Sequence, residues 1–236
     1  MKKLFTFILL SVCTSLLSNA QFIGLRGGFG LASISSSLYS SYYPKSRPIL
    51  GFQGCVIAEF PLSSTSKWLT METGLMIQTK GSNLTYSTIY PGSLFHPSAS
   101  LYSNNILTNL YYLDIPLSVK MYSSVGKTSL YFEVGPYVGI GLSGKLHDPQ
   151  IRTISWGSSL NKDNYKRFDS GISMGVGLKI KPFLIGLSYD LGLANIFPEG
   201  GTDYYAHNRF FSVFAEFMIL RKDESIKQQM SPMSNF

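Results

Sequence analysis

Cysteine is almost missing from this 236-residue chain, with Cys13 and Cys55 the only two. No disulfide framework and no thiolate metal cluster can be built from so few. Also missing is any late run of eighteen or more apolar residues, so no helix is expected to span a membrane. Lys and Arg outnumber Asp and Glu by 20 to 13, yet no block of consecutive cations occurs, and nucleic acid is not an expected partner. His96, His147 and His207 fall in no HxxxH or HExxH spacing, and no carboxylate repeat supplies further ligands. No metal or other cofactor is therefore expected. One hydrolase-like pattern is present, Gly171-Ile172-Ser173-Met174-Gly175. A nucleophile elbow needs a sharp strand-to-helix turn, whereas these residues lie inside a two-residue alternation with no helix after them, so no catalytic residue is assigned.

The first twenty residues have the layout of a secretory signal peptide: Lys2 and Lys3, an apolar run from Leu4 to Leu17, and Ser18-Asn19-Ala20 before Gln21. Cys13 sits inside the apolar run, which is the wrong place for a lipoprotein site. Cleavage before Gln21 leaves Cys55 as the only thiol and 18 bases against 13 acids, a net charge of +5.

After residue 20 a two-residue rhythm recurs about eight times. In Ser129–Ser143, Leu130, Phe132, Val134, Val138, Ile140 and Leu142 share one parity, while Tyr131, Glu133, Gly135, Tyr137, Gly139 and Gly141 share the other. Strands are expected over 21–34, 50–62, 68–80, 109–122, 128–143, 168–181, 183–196 and 209–221, each long enough to cross a bilayer. The connections alternate: 35–49, 81–108, 144–167 and 197–208 are long, and 63–67, 123–127 and the Lys181-Pro182 corner are short. This is the plan of an all-β, eight-stranded antiparallel up-and-down transmembrane β-barrel with short periplasmic turns and long outer loops. The expected organisation is a signal peptide over 1–20, a barrel over 21–221 and a flexible periplasmic tail over 222–236, with both termini periplasmic.

Charge separates this plan from a soluble barrel. Arg26, Glu59, Glu72, Lys80, Asp114, Lys120, Glu133, Asp169, Lys179, Asp190 and Glu216 all fall on the parity opposite the apolar face. On a lipid-facing wall near the midplane a Lys or Arg costs roughly 2–4 kcal/mol. Inside, the two signs can pair, and an eight-stranded lumen is just wide enough to be filled by side chains. The expectation is a structural charge network in a plugged lumen. A soluble barrel would have to bring the whole Leu/Val/Phe face into that lumen and leave the Gly-rich face in water.

The long loops are rich in Ser, Tyr, Asn, Gly and Pro and are expected to be polar and mobile. Trp68, Tyr122 and Phe183 near the periplasmic ends, with Tyr111 and Phe211 near the outer ends, suggest interfacial girdles. The third outer loop gathers Lys145, Arg152, Lys162, Lys166 and Arg167, candidates for contact with lipopolysaccharide phosphates. The last strand alternates Phe210, Phe211, Phe214 and Phe217, the aromatic pattern expected of a closing strand.

Gly24-Leu25-Arg26-Gly27-Gly28-Phe29-Gly30, Tyr112-Leu113-Asp114-Ile115-Pro116-Leu117-Ser118-Val119-Lys120, Gly135-Pro136-Tyr137-Val138-Gly139 and Tyr189-Asp190-Leu191-Gly192-Leu193-Ala194-Asn195-Ile196 follow one another in an order that resembles the PorT-like outer-membrane β-barrel family of the Bacteroidota. The resemblance spans nearly the whole chain after the signal peptide, and the long second outer loop departs from it. It implies the barrel fold, an outer-membrane location in a Gram-negative cell and handling by the barrel-assembly machinery, but not a function; the residues themselves favour contact with outer-membrane lipid and a non-enzymatic structural, adhesive or secretion-associated role. Some members are implicated in protein secretion to the cell surface, which brings a secretion or surface protein complex into view as a partner. A small-barrel surface enzyme acting on outer-membrane lipid and a narrow channel are the alternatives.

Overall fold

The computed structural model describes residues 22–37, 45–62, 68–90, 100–125, 128–148, 150–159, 164–198 and 205–221. The expected signal peptide, the tail, Cys13, His96 and Lys162 lie outside them. In chain order the strands are β1 (Phe22–Ser37), β2 (Lys45–Arg47), β3 (Ile49–Pro61), β4 (Leu69–Tyr90), β5 (Ser100–Val125), β6 (Thr128–Asp148), β7 (Gln150–Thr153), β8 (Phe168–Ile180), β9 (Phe183–Gly192) and β10 (Tyr205–Arg221). Eight of them close a ring in the order β3-β1-β10-β9-β8-β6-β5-β4, with β4 returning to β3 and every pairing antiparallel. Phe22 pairs with Arg221, so the chain enters and leaves the ring at one end, the terminal end. The opposite end carries the longer connections and is the loop end.

Alternation sets which way each strand faces. Along β6 the side chains run outward at Leu130, Phe132, Val138, Ile140 and Leu142 and inward at Tyr131, Glu133 and Tyr137. At about 3.4 Å per residue and a tilt near 40°, the stretch from Leu130 to Leu142 reaches about 30 Å, a hydrocarbon thickness. The wall is continuous, with Leu31, Val56, Leu75, Leu117, Val176, Leu187 and Val213 all exposed. No helix among the described residues is long and apolar enough to cross a membrane, so any crossing is by strands.

Three expectations are corrected. The segment 81–108 is not a loop along its length: β4 and β5 stay paired from Gly81↔Asn109 to Tyr90↔Ser100, extending the sheet well beyond the ring. Backbone hydrogen bonds there override the polar, turn-like composition. Gly81 starts this extension at a φ of 128°, where a Cβ would lie 2.0 Å from the Thr108 carbonyl oxygen. No other residue type fits that position without moving the ladder.

Tyr122 is not a girdle residue. It shares the inward face of β5 with Lys120, and its hydroxyl donates to Glu59 at 2.9 Å. Trp68, Phe183 and Phe211 do face outward. Finally, 144–167 is not simply a polar loop. β6 continues to Asp148, β7 folds back against it, and Ile154 and Tyr165 are buried.

Candidate functional site: the barrel interior and its loop end

The ring of alternating strands brings all eleven inward-parity charges into one interior, stacked in layers along the axis. Nearest the terminal end, Lys179 on β8 lies 4.4 Å over the rings of both Phe22 and Tyr122. Above it is the larger ionic layer. Arg26 on β1 spreads its guanidinium to Glu72 at 2.8 Å, Glu216 at 2.9 Å and Glu133 at 3.1 Å, and its plane lies 4.3 Å over the Phe214 ring. A planar fork of five donors suits a site with three carboxylates. Lys120 on β5 supplies the second cation, in contact with Glu72 and within 3.4 Å of Glu133, 3.6 Å of Glu216 and 4.0 Å of Glu59.

Glu59, Glu72 and Glu216 are the one group among the described residues whose carboxylates approach closely enough to share a metal ion. The Lys120 ammonium and the Arg26 guanidinium already stand among them and supply the positive charge that a metal would bring. The donor set therefore fits a salt-bridge network better than a metal centre.

A neutral layer follows: Gln53 donates to Ser212 at 2.9 Å, and Ser212 and Ser188 share a hydrogen bond of 2.7 Å. Next, Gln78 donates to Asp190 at 2.6 Å. Lys80 bridges Asp114 at 2.9 Å and Asp169 at 2.8 Å, with the Tyr112 and Tyr137 rings 4.7 Å and 4.5 Å away. Asn208 donates to Asp169 at 2.9 Å. The inward glycines make room for these groups. A Cβ on Gly139 would lie 2.0 Å from the Asp114 carboxylate, and one on Gly175 would lie 2.7 Å from that of Glu133.

The loop-end layer was not foreseen from the sequence. Ile34, Leu110, Tyr112, Ile154, Tyr165, Ile196 and Ala206 form a buried apolar cluster, with Trp156 and Phe197 packed on it. The Trp156 ring stands edge-on to Tyr112 at 5.7 Å and fills the space beside Gly141, where a Cβ would meet it at 2.5 Å. The segment carrying it is braced by its own backbone: Gly157 donates to Tyr165 at 3.0 Å, Lys166 to Ile196 at 2.8 Å and Ile196 to Ala206 at 3.0 Å. Burial holds the Tyr165 phenol above its ordinary range. The available signal was the set Ile154, Trp156 and Tyr165 within an otherwise polar connection, too sparse to show a period.

The remaining candidates divide. Lys145, Arg152 and Arg167 are exposed at the loop end, and Lys166 is half-buried. Arg152 makes only a distant pairing with Asp148, at 3.9 Å. His147 is at the end of β6, and His207, on β10, contacts the Ala194 carbonyl at 3.0 Å. Ser173 sits mid-strand in β8 opposite Asp190, with no turn at the serine. No elbow is formed there.

Residues 19–198 match the family model described as the outer membrane protein beta-barrel domain. No curated protein matches the chain. Among solved structures it is similar to Ail, the attachment invasion locus protein of Yersinia pestis, described in complex with the heparin analogue sucrose octasulfate. That similarity has 14% identity and a TM-score of 0.35, covering 83% of this chain and 97% of that one. A second similarity, to Neisserial surface protein A (NspA), has 13% identity and a TM-score of 0.39, covering 84% of this chain and 97% of that one.

Proposed function

The chain belongs to the outer membrane protein β-barrel domain family, and from that premise we propose that it is a non-enzymatic barrel with a plugged lumen, serving a structural, adhesive or secretion-associated role through its outward loops or a docked partner. Its place is the outer membrane. In the proposed orientation the loop end faces outward and both termini face the periplasm, after removal of the signal peptide. The order of motifs from Gly24 to Ile196 supports a finer placement among the PorT-like barrels of the Bacteroidota, and with it a secretion or surface complex as the partner.

The observation that carries the plugged reading is the stack itself. Two ionic layers, anchored by Arg26 and Lys80, lie under an apolar layer into which Trp156 is inserted. A hydrated ion crossing it would have to break paired charges and then traverse a mainly apolar layer with too few polar groups to replace its hydration shell. The same stack argues against the channel alternative. Ser173, half-buried opposite Asp190 in mid-strand, is not set as an exposed nucleophile, so the one hydrolase-like pattern lends the enzyme alternative no support.

The test is electrical. The purified full-length protein, refolded into planar bilayers, should give no steady unitary conductance at either polarity, and the Trp156→Ala variant should give at most brief, flickering openings. A stable conductance from the unaltered barrel would overturn the plugged reading. Isolation from native outer membranes in mild detergent tests the partner: a stoichiometric co-purifying complex supports docking.

A further inference from the structure

Eight acidic residues lie among the described residues, and seven of them, Glu59, Glu72, Asp114, Glu133, Asp169, Asp190 and Glu216, are buried in the lumen. Only four bases accompany them there, Arg26, Lys80, Lys120 and Lys179, so the interior carries a net −3. Of the other charged side chains whose burial is described, Arg47, Lys145, Arg152, Lys166, Arg167, Lys181 and Arg209 are cationic and Asp148 alone is acidic. Folding hides acid and leaves base on the surface. The overall charge understates how cationic that surface is.

This excess is not spread evenly. At the loop end the exposed cations Arg47, Lys145, Arg152 and Arg167 occupy one arc of the rim. The register row Arg47↔Asn83, Asn83↔Leu107, Leu107↔His147 sets Arg47 three ladder steps from the end of β6, about 14 Å at the usual strand spacing. Lys145 pairs with Thr153, next to Arg152 on β7, and Gly141 donates to the Arg167 carbonyl at 2.7 Å. Asp148 is the one described acid in this arc, and it is partly covered.

Height fixes the kind of anion. Lys145 follows the outward Leu142 on β6 by three residues, and Arg167 directly precedes the outward Phe168. The arc is thus the upper edge of the apolar wall. Aliphatic stems lying along that edge would place their cationic heads where bilayer headgroups begin.

Resting on the outer-membrane reading above, we propose that Arg47, Lys145, Arg152 and Arg167 form a lateral docking arc for the phosphate groups of a phosphorylated glycolipid in the outer leaflet. The occupant is lipid in the same membrane, held by charge-assisted and bidentate contacts at the rim while its acyl chains lie against the wall. It shares no residue with the lumen network.

The probe is labelled diphosphoryl lipid A, with its fully dephosphorylated form as the control. The full-length barrel is reconstituted in phosphatidylcholine nanodiscs, and retained probe is counted after mild extraction. The unaltered barrel should retain the diphosphoryl form selectively. The triple variant K145Q/R152Q/R167Q should lose that retention by about tenfold or more, as expected for three cations at a headgroup surface. K181Q, exposed at the other end, should retain it normally.

Equal retention of both probe forms, or unchanged retention by a triple variant of native heat-modifiable migration, overturns the arc. Displacement of the probe by soluble polyphosphate at matched phosphate concentration overturns the membrane source and assigns the surface to a soluble polyanion. If the triple variant fails to fold, the single variant R152Q, altered at a rim side chain that is 65% exposed, must show a partial loss. Conductance and insertion are read on the same samples, so failure of the arc is told apart from failure of the barrel assignment.

Discussion

Arg26 carries the largest load of any single residue. Three carboxylates, Glu72, Glu133 and Glu216, converge on its guanidinium, and removing it leaves them to Lys120 alone. Breaking a buried pair from one side costs more than the pair contributes, because the abandoned charges stay desolvated. Arg26→Met is expected to destabilise the barrel by about 3–5 kcal/mol, measured by urea unfolding in lipid vesicles. Arg26→Lys should cost less but remain destabilising, since an ammonium cannot meet three carboxylates in fork geometry. The double variant R26M/E216Q should recover part of the loss, and strict additivity of the two single changes would show that the residues are uncoupled. The inward placement of these charges was readable from parity alone, because a strand reverses its facing at every residue. Their partners were not readable, since Arg26 meets Glu133 across 107 residues and Glu216 across 190.

At the scale of elements, the ring strands and the tight corners at Lys181-Pro182 and after β5 were legible and the long connections were not. Strong alternation located β1, β3 and β8 to within three residues at either end and β6 and β10 at their terminal-end boundaries, with both running four or five residues further toward the loop end. The extension of β4 and β5 past Lys80 and Leu110 carries a mixed Ser, Thr, Asn and Tyr composition whose strand character comes from its partner strand. Ile154, Trp156 and Tyr165 are illegible for a different reason: they serve a tertiary contact without standing in a regular element. This contact can be tested from the strand side. A side chain at Gly141 must displace the Trp156 ring, because a Cβ there would meet three of its ring atoms at 2.5–2.9 Å. In a Trp68→Phe background, Gly141→Leu should shift the remaining tryptophan emission to the red and open the Ile154–Tyr165 segment to added protease. Unchanged emission would show that the ring does not occupy that space.

For the whole molecule, the decisive property is that the exterior reverses the polarity of a soluble protein. Phe29 is 73% and Leu50 is 76% exposed, while Lys120 and Asp114 are fully buried. Burying charge this way costs several kcal/mol per ion even when it is paired, and no water-soluble fold gains anything in return. A barrel in lipid does gain, because its outward residues lose no free energy by facing hydrocarbon and any charge among them would. The penalty should therefore depend on depth. Leu187, flanked in register by Val176 and Val213, lies well inside the apolar band, and Ile219 lies near the terminal end of β10. Leu187→Arg is expected to cost about 2–4 kcal/mol in vesicles, against about 0–1 kcal/mol for Ile219→Arg. The contrast is the informative quantity, since both side chains are comparably exposed, at 44% and 49%, and a protein surrounded by water would treat the two substitutions alike. Equal and small penalties at both positions would remove lipid from the argument, and with it the reason for sequestering seven acids in the lumen.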